Sequence, residues 1–235
     1  MSKFSKRCYK KELMDDLHCS GKELEQTLRE LRTINRLLGG NKVTTSGIRT
    51  LVGKKNRRPY SVADLGCGGG DMTLVMKDWS IRNGYRLRII GIDANPNIIS
   101  LAKEKVQLNY PEIEFRQGNV FDTDYLTEEV DIQTCTLFMH HFTDDELVQI
   151  LINLKGNTKI GMVINDLHRH FLAYHSIKWL TTAFSRSQMV KNDAPLSVLR
   201  AFSREDWKRL LRAAGIEKYK ISWHWAFRWQ VICWV

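Results

Sequence analysis

Residues 62–76 read VADLGCGGGDMTLVM, and no other stretch narrows the fold as far. An apolar run delivers the chain into Gly66, Gly68, Gly69 and Gly70, and a helix is expected from about Asp71. Glycines allow the sharp turn and let a ligand approach with no Cβ in its way. A strand that ends in such a turn and opens into a helix is the repeating unit of doubly wound sheets. These sheets bind ligands beyond the carboxyl ends of their strands.

The surrounding pattern agrees. Strands are expected at Tyr60 to Leu65, Arg86 to Asp93, Ile113 to Gln117, Val130 to Leu137 and Thr158 to Asn165. Helices are expected from the glycine turn to Trp79, from Asn97 to Asn109 and from Asp144 to Leu154. Such β-α alternation predicts an α/β fold, a doubly wound and mostly parallel seven-stranded sheet covered on both faces. Glu217 to His224 and Arg228 to Val235 would close it as an antiparallel pair, with four tryptophans packing there.

Ser203 is expected to cap a helix, with Asp206 at the reciprocal position. Ser20 with Glu23 reads as the same capping box, ahead of Leu24, Leu28, Leu31, Ile34 and Leu38 at helical spacing. Residues 1–20 are charged and are expected to be poorly ordered at their start. Residues 1–58 read as an N-terminal helical cap within one domain. Residues 59–235 read as the core, with a lid insertion at about 167–200.

The turn is G-x-G-x-G, with Asp64 before it and Asp71 after it. A pyrophosphate favours bare N–H groups at a helix N-terminus, and two carboxylates there would repel it. They would suit a ligand carrying an ammonium group. No G-x-x-x-x-G-K-[ST] sequence occurs, which excludes a P-loop. The second strand ends in GIDANP, where Asp93 can accept both hydroxyls of a ribose. A nucleoside with a cation and no phosphate describes S-adenosylmethionine.

At these residues the chain resembles the class I S-adenosylmethionine-dependent methyltransferases, over about residues 58–165 by motif and by layout beyond. The resemblance implies a Rossmann-like methyltransferase fold and S-adenosyl-L-methionine as cofactor. It puts Asp64, Gly66, Cys67, Gly68 and Asp71 around the methionine end and Asp93 on the ribose. Ala94, Asn95, Asn119, Val120 and Phe121 then fall near the adenine, and Thr136 at the end of the fourth strand. The family usually has an acid where Asn119 stands; an amide oxygen can accept the same hydrogen bond.

The fourth strand leads into MHHFTDDE, which is similar to a segment of small-molecule O-methyltransferases whose catalytic base falls on His140. The family's Asp is replaced here by His141, a second candidate for base or cofactor wall. An imidazole suits the task, because a phenol with a pKa near 10 needs help in losing its proton. The fifth strand runs on into DLHRH, so Asp166, His168, His170 and Tyr174 are expected to bind the acceptor. Three histidines and an acid are metal-ligand types, but His168, His170 and His175 lack the i, i+4 spacing of a zinc motif. No metal is therefore expected.

Charge bears on the acceptor. Of the net charge of +10, +9 falls in residues 1–60 and the body is nearly neutral. The N/D-P-P-Y/F motif of base-amine methyltransferases is absent, so nucleic acid is not the expected partner. The reading is O-methylation of a small aromatic or lipophilic acceptor: a phenol, quinol or polyketide. An RNA or protein methyltransferase using the basic arm is the alternative. Five cysteines without C-x-x-C spacing, no leader and no stretch of about 18 apolar residues point to a cytoplasmic protein with at most weak membrane-surface contact. Oligomeric state is not legible.

Overall fold

The computed structural model describes residues 3–53, 58–122 and 124–235. Residues 54–57, most of the basic run before the first strand, lie outside the described residues. Seven strands form one sheet in the order β3-β2-β1-β4-β5-β7-β6. The strands are β1 (Pro59–Leu65), β2 (Arg86–Asp93), β3 (Glu114–Gln117), β4 (Val130–Thr136), β5 (Thr158–Leu167), β6 (Tyr219–His224) and β7 (Arg228–Trp234). The pairings β1–β2, β1–β4, β2–β3 and β4–β5 are parallel. β7 runs antiparallel to both β5 and β6, so the sheet is mixed. The connection from β6 to β7 is too short for a crossover, which forces that reversal.

Helices α1 (Gly21–Leu37), α2 (Gly40–Val52), α3 (Asp71–Asn83), α4 (Pro96–Ala102), α5 (Asp144–Gly156), α6 (Phe171–Phe184), α7 (Gln188–Arg200) and α8 (Arg204–Ala213) complete the fold. Two apolar clusters form, one on each face. The first joins Leu147, Ile150, Leu151 and Leu154 of α5 and Trp207, Leu210 and Leu211 of α8 to the sheet. The second joins Ile48 and Leu51 of α2, Met72 and Met76 of α3 and Ile99 of α4 to the other face. Each fully buried Leu or Ile contributes roughly 1.5–3 kcal/mol, an upper figure because the unfolded chain is already partly collapsed.

Local chemistry sets the helix starts. Thr143 and Glu146 form a reciprocal capping box on α5, as Ser203 and Asp206 do on α8. The box expected at Ser20 does not form: Ser20 makes no side-chain cap bond. Glu23 instead accepts from Ser187 Oγ (2.7 Å) and Met189 N (3.2 Å), tying α1 to the start of α7. The helix expected over 97–109 is α-helical only to Ala102 and continues as a wider π-helical turn, Lys103–Gln107.

The N-terminal arm is packed, contrary to the expectation of loose order. Cys8 N donates to Leu199 O (3.0 Å), and Leu13 N and Met14 N donate to the Asp193 carboxylate (2.9 and 3.0 Å). Arg7 and Glu12 are buried. The arm, α1, α6 and α7 together roof the carboxyl edge of the parallel strands.

Candidate active site

Under that roof lies a cavity of about 1090 Å³. Its floor is the glycine turn. Gly66, Gly68 and Gly70 all have positive φ (65°, 53° and 80°). At Gly66 a Cβ would also collide with the Phe138 ring, so that position admits only glycine. Cys67 N donates to Ile92 O (3.0 Å), which stitches the turn to β2.

Two acids face the turn. Asp64 is fully buried and accepts from Thr134 Oγ1 (2.7 Å). Burial lifts its carboxyl to about 7; the Thr134 hydrogen bond opposes the rise and the charge of Asp93 adds to it. Asp93 accepts from Gly68 N (3.1 Å) through Oδ2 and from Asn95 N (3.0 Å) through Oδ1. Its pKa is raised by burial, against those backbone hydrogen bonds. Each Asp93 oxygen keeps a lone pair, so a vicinal diol can bind it with both hydroxyls. Among the described residues Asp64 has no ion-pair partner, so a bound cation would favour its ionised form. The donor set therefore fits a ribose and an ammonium or sulfonium group, and does not fit a pyrophosphate.

At the end of β4, Leu137 adopts φ 55°, and its N–H donates to Asn165 O (2.8 Å). This conformation is unusual for a bulky residue and re-aims the chain over the cavity. The short 3-10 turn Met139–His141 follows. His140 Nδ1 lies 2.7 Å from Asp166 Oδ1, and His140 N donates to Asp166 Oδ2 (3.2 Å). Burial pushes the Asp166 pKa up, but the adjacent His140, by charge and hydrogen bond, brings it below the usual value. An ionised Asp166 accepts a hydrogen bond from Nδ1–H, the tautomer that leaves the Nε2 lone pair free.

The arm completes this cluster. His140 Nε2 stands 3.9 Å from Glu12 Oε1, and His141 Nδ1 stands 2.6 Å from Asp15 Oδ1. Burial lifts Glu12 to about 7, although His141 and Arg200 pull it down. Asp15 is also lifted by burial, but hydrogen bonds from His141 and Arg200 outweigh that and leave it at about 2. Arg200 donates to His140 O (3.0 Å), to His141 O and to Asp15 Oδ2 (2.6 Å). Arg7 donates to Asp144 Oδ1 (2.6 Å), Arg200 O (2.8 Å) and Phe142 O (2.9 Å). Among the described residues, Glu12, His140 and His141 form a group whose potential metal-ligand atoms lie within 4.8 Å of one another. Arg200 Nε stands 3.6 Å from the same Glu12 oxygen, so the group is knit as an ion-pair network.

Comparison with known proteins points the same way. A methyltransferase-domain profile matches residues 62–161, from the first glycine-turn strand into β5. That match agrees with the resemblance to the class I S-adenosylmethionine-dependent methyltransferases carried by the glycine turn and Asp93. It is 30% identical over 110 residues to a 2-phytyl-1,4-naphtoquinone methyltransferase of Trichormus variabilis, covering 45% of this chain and 46% of that protein. The chain thus spans about half the length of that curated relative. It is 25% identical over 175 residues to a carboxy-S-adenosyl-L-methionine synthase of Campylobacter jejuni, covering 71% and 73%. Human N-acetylserotonin methyltransferase in complex with S-adenosylmethionine shares the fold, with a TM-score of 0.64 at 16% identity over 91% of this chain and 56% of that one.

The fold brings most of the expected residues to one cavity. Asp64, Gly66, Cys67, Gly68, Asp71, Asp93, Ala94, Asn95, Asn119, Val120, Phe121, Thr136, His140 and His141 all line it. Asn119 turns its Oδ1 onto Phe121 N (3.2 Å), and Phe121 packs edge-on against Phe142. Asp166 is not on the wall; it stands behind His140 as its partner. His168, His170 and Tyr174, expected to bind the acceptor, do not line the cavity. His168 accepts from Trp223 Nε1 (3.3 Å), His170 caps α6 through Leu172 N (3.2 Å), and Tyr174 packs on Phe4. β5 runs two residues past its expected end, to Leu167. From the lid, His175 and Leu172 reach the cavity instead.

Sequence reasoning missed Glu12, Asp15, Arg200 and Arg228, all on the cavity wall. The acids come from an arm with no motif, and their partners lie well over a hundred residues along the chain. The one available signal was a pair of acids three residues apart inside a basic arm.

Proposed function

We propose that this methyltransferase methylates an oxygen of a small aromatic or lipophilic acceptor: a phenol, quinol or polyketide. The observation that carries the reading is His140, held by Asp166, on the wall of a large and mainly apolar cavity. When bound, S-adenosylmethionine supplies an electrophilic methyl group on a sulfonium. Asp93 would hold the ribose hydroxyls, and Asp64 and Asp71 the cationic methionine end. Ala94, Asn95, Asn119, Val120 and Phe121 would border the adenine. Cys67 and Thr136 would bound the middle of the cofactor.

His140 Nε2 removes the proton of the acceptor hydroxyl as the new bond forms. Asp166 stabilises the resulting imidazolium, and Glu12, held near neutrality, faces that nitrogen at 3.9 Å. His141 forms the adjoining wall. A positioned base contributes roughly 10²–10⁴-fold, and alignment of acceptor and methyl group contributes more. Residues 1–58 act as the cap and about 167–200 as the lid, so that water is excluded. Five free cysteines, three of them buried, fit a reducing cytoplasmic setting. No helix of the described residues is long and apolar enough to cross a membrane.

RNA or protein as acceptor is less well supported, because Arg7 is spent inside the roof on Asp144. Methyl transfer from radiolabelled S-adenosylmethionine to a phenol and quinol panel tests the reading. RNA binding measured against salt tests the alternative, which requires a steep salt dependence.

A further inference from the structure

Arg228 is out of balance with its surroundings. It opens β7, is 2% exposed, and lines the cavity. A guanidinium this deep is normally matched by a carboxylate. No ion pair to Arg228 occurs among the described residues. Its Nη1 donates to Asn165 Oδ1 (3.3 Å), a neutral amide, and its Nε is buried without a hydrogen-bond partner. Asp166, the acid that bears on it through space, is already committed to His140. Burial pulls the Arg228 pKa down to about 10, so the group remains charged at neutral pH.

The surroundings are arranged to keep the cation there. Gly40 opens α2, and a Cβ at that position would meet Arg228 Cζ at 2.8 Å and collide with Asn35 Oδ1. Asn35 Oδ1 is a second buried polar atom without a partner, and Asn35 also lines the cavity. With Nη1 taken by Asn165 and Nε enclosed beside Gly40, Nη2 is the guanidinium nitrogen left to meet a ligand. A charged N–H donor of this kind suits a carboxylate oxygen.

Building on the methyl-transfer reading, we propose that Arg228 anchors a carboxylate carried by the methyl acceptor, so that the substrate is an aromatic or lipophilic acid. The methionine carboxylate of the cofactor is the other source of the same chemistry. Sheet order argues for the acceptor. β7 stands three strands from β1, whose end carries the glycine turn, and at about 4.8 Å per strand this is roughly 14 Å. His140, which follows β4, lies between the two.

The probe is 2-naphthoate against its neutral twin 2-naphthamide, titrated calorimetrically into the full chain saturated with S-adenosylhomocysteine. The expected result is at least tenfold tighter binding of the acid. In R228Q that preference disappears, while S-adenosylhomocysteine affinity stays within twofold. In R228K part of the preference returns. Equal affinity for acid and amide in the unaltered protein overturns the proposal, and needs no variant to fold. A lost S-adenosylhomocysteine affinity in R228Q with the acid preference intact assigns Arg228 to the cofactor and also overturns it. Failure of S-adenosylhomocysteine to bind the unaltered protein would instead strike the methyl-transfer reading on which the proposal rests.

Discussion

Two carboxylates on the cavity wall and one behind it differ because their neighbours differ, and each difference is measurable. Asp93 is anchored by two backbone N–H groups and offers its remaining lone pairs to a diol. Hydrogen bonds to a charged acceptor contribute about 1.5–3 kcal/mol each. Asp93→Ala should therefore weaken S-adenosylhomocysteine binding at least tenfold by calorimetry, with the fold intact by circular dichroism. Asp64 has a folded pKa of about 7, above its unfolded value. The folded state then holds a proton that the unfolded chain releases, so this group's contribution to stability falls as pH rises from about 4 to 7. A bound cation demands the ionised form. S-adenosylhomocysteine affinity should rise from pH 6 to pH 8 with release of a proton, seen as a buffer-dependent heat, and Asp64→Asn should flatten the profile. Asp166 is held low by His140 and has no contact with the cavity. Asp166→Asn should lower kcat by about 10²-fold or more, leaving S-adenosylhomocysteine affinity unchanged. A parallel loss of affinity would make Asp166 a structural residue instead.

At the scale of elements, the roof was only partly legible. The strand–glycine–helix unit and the capping boxes of α5 and α8 depend on neighbours in sequence, so local pattern finds them. Ser20 and Glu23 satisfy the same pattern, but Glu23 binds Ser187 and Met189 on α7, a choice made by tertiary packing. The second lid helix was hidden by Pro195 in its interior, which packing of Met189, Val190, Leu196 and Val198 overrides. The arm had no period to read, because it is held by side-chain bonds to Arg200 and Asp193. Arg200 is the pivot of that arrangement. Arg200→Ala leaves Asp15 without its guanidinium partner and removes the Arg200 donor from the Lys10, His140 and His141 carbonyls, and should cost about 3–5 kcal/mol in urea unfolding. Cys19 O accepts from the Nδ2 groups of Asn95 and Asn97 (3.1 and 3.2 Å), so the arm also braces the loop after β2. Removing residues 1–19 should weaken S-adenosylhomocysteine binding as well as acceptor turnover.

For the whole molecule, the two halves of the site were unequally readable for one reason. The cofactor half hangs on consecutive residues at the ends of β1 and β2, where a motif and a fold are the same thing. The acceptor half is assembled from the arm, α1, α7 and β7, which meet only after folding. His168, His170 and Tyr174 looked well placed in sequence and face away from the cavity. Arg228 looked like one more strand residue and is its deepest cation. The account stands on the cavity being built for a sulfonium nucleoside. Calorimetric titration of the full chain with S-adenosylhomocysteine and, separately, with NADH tests that most directly. The expected result is one-to-one micromolar binding of S-adenosylhomocysteine, at least tenfold weaker in Asp93→Ala, and no heat with NADH. Micromolar binding of NADH with no response to S-adenosylhomocysteine would contradict it.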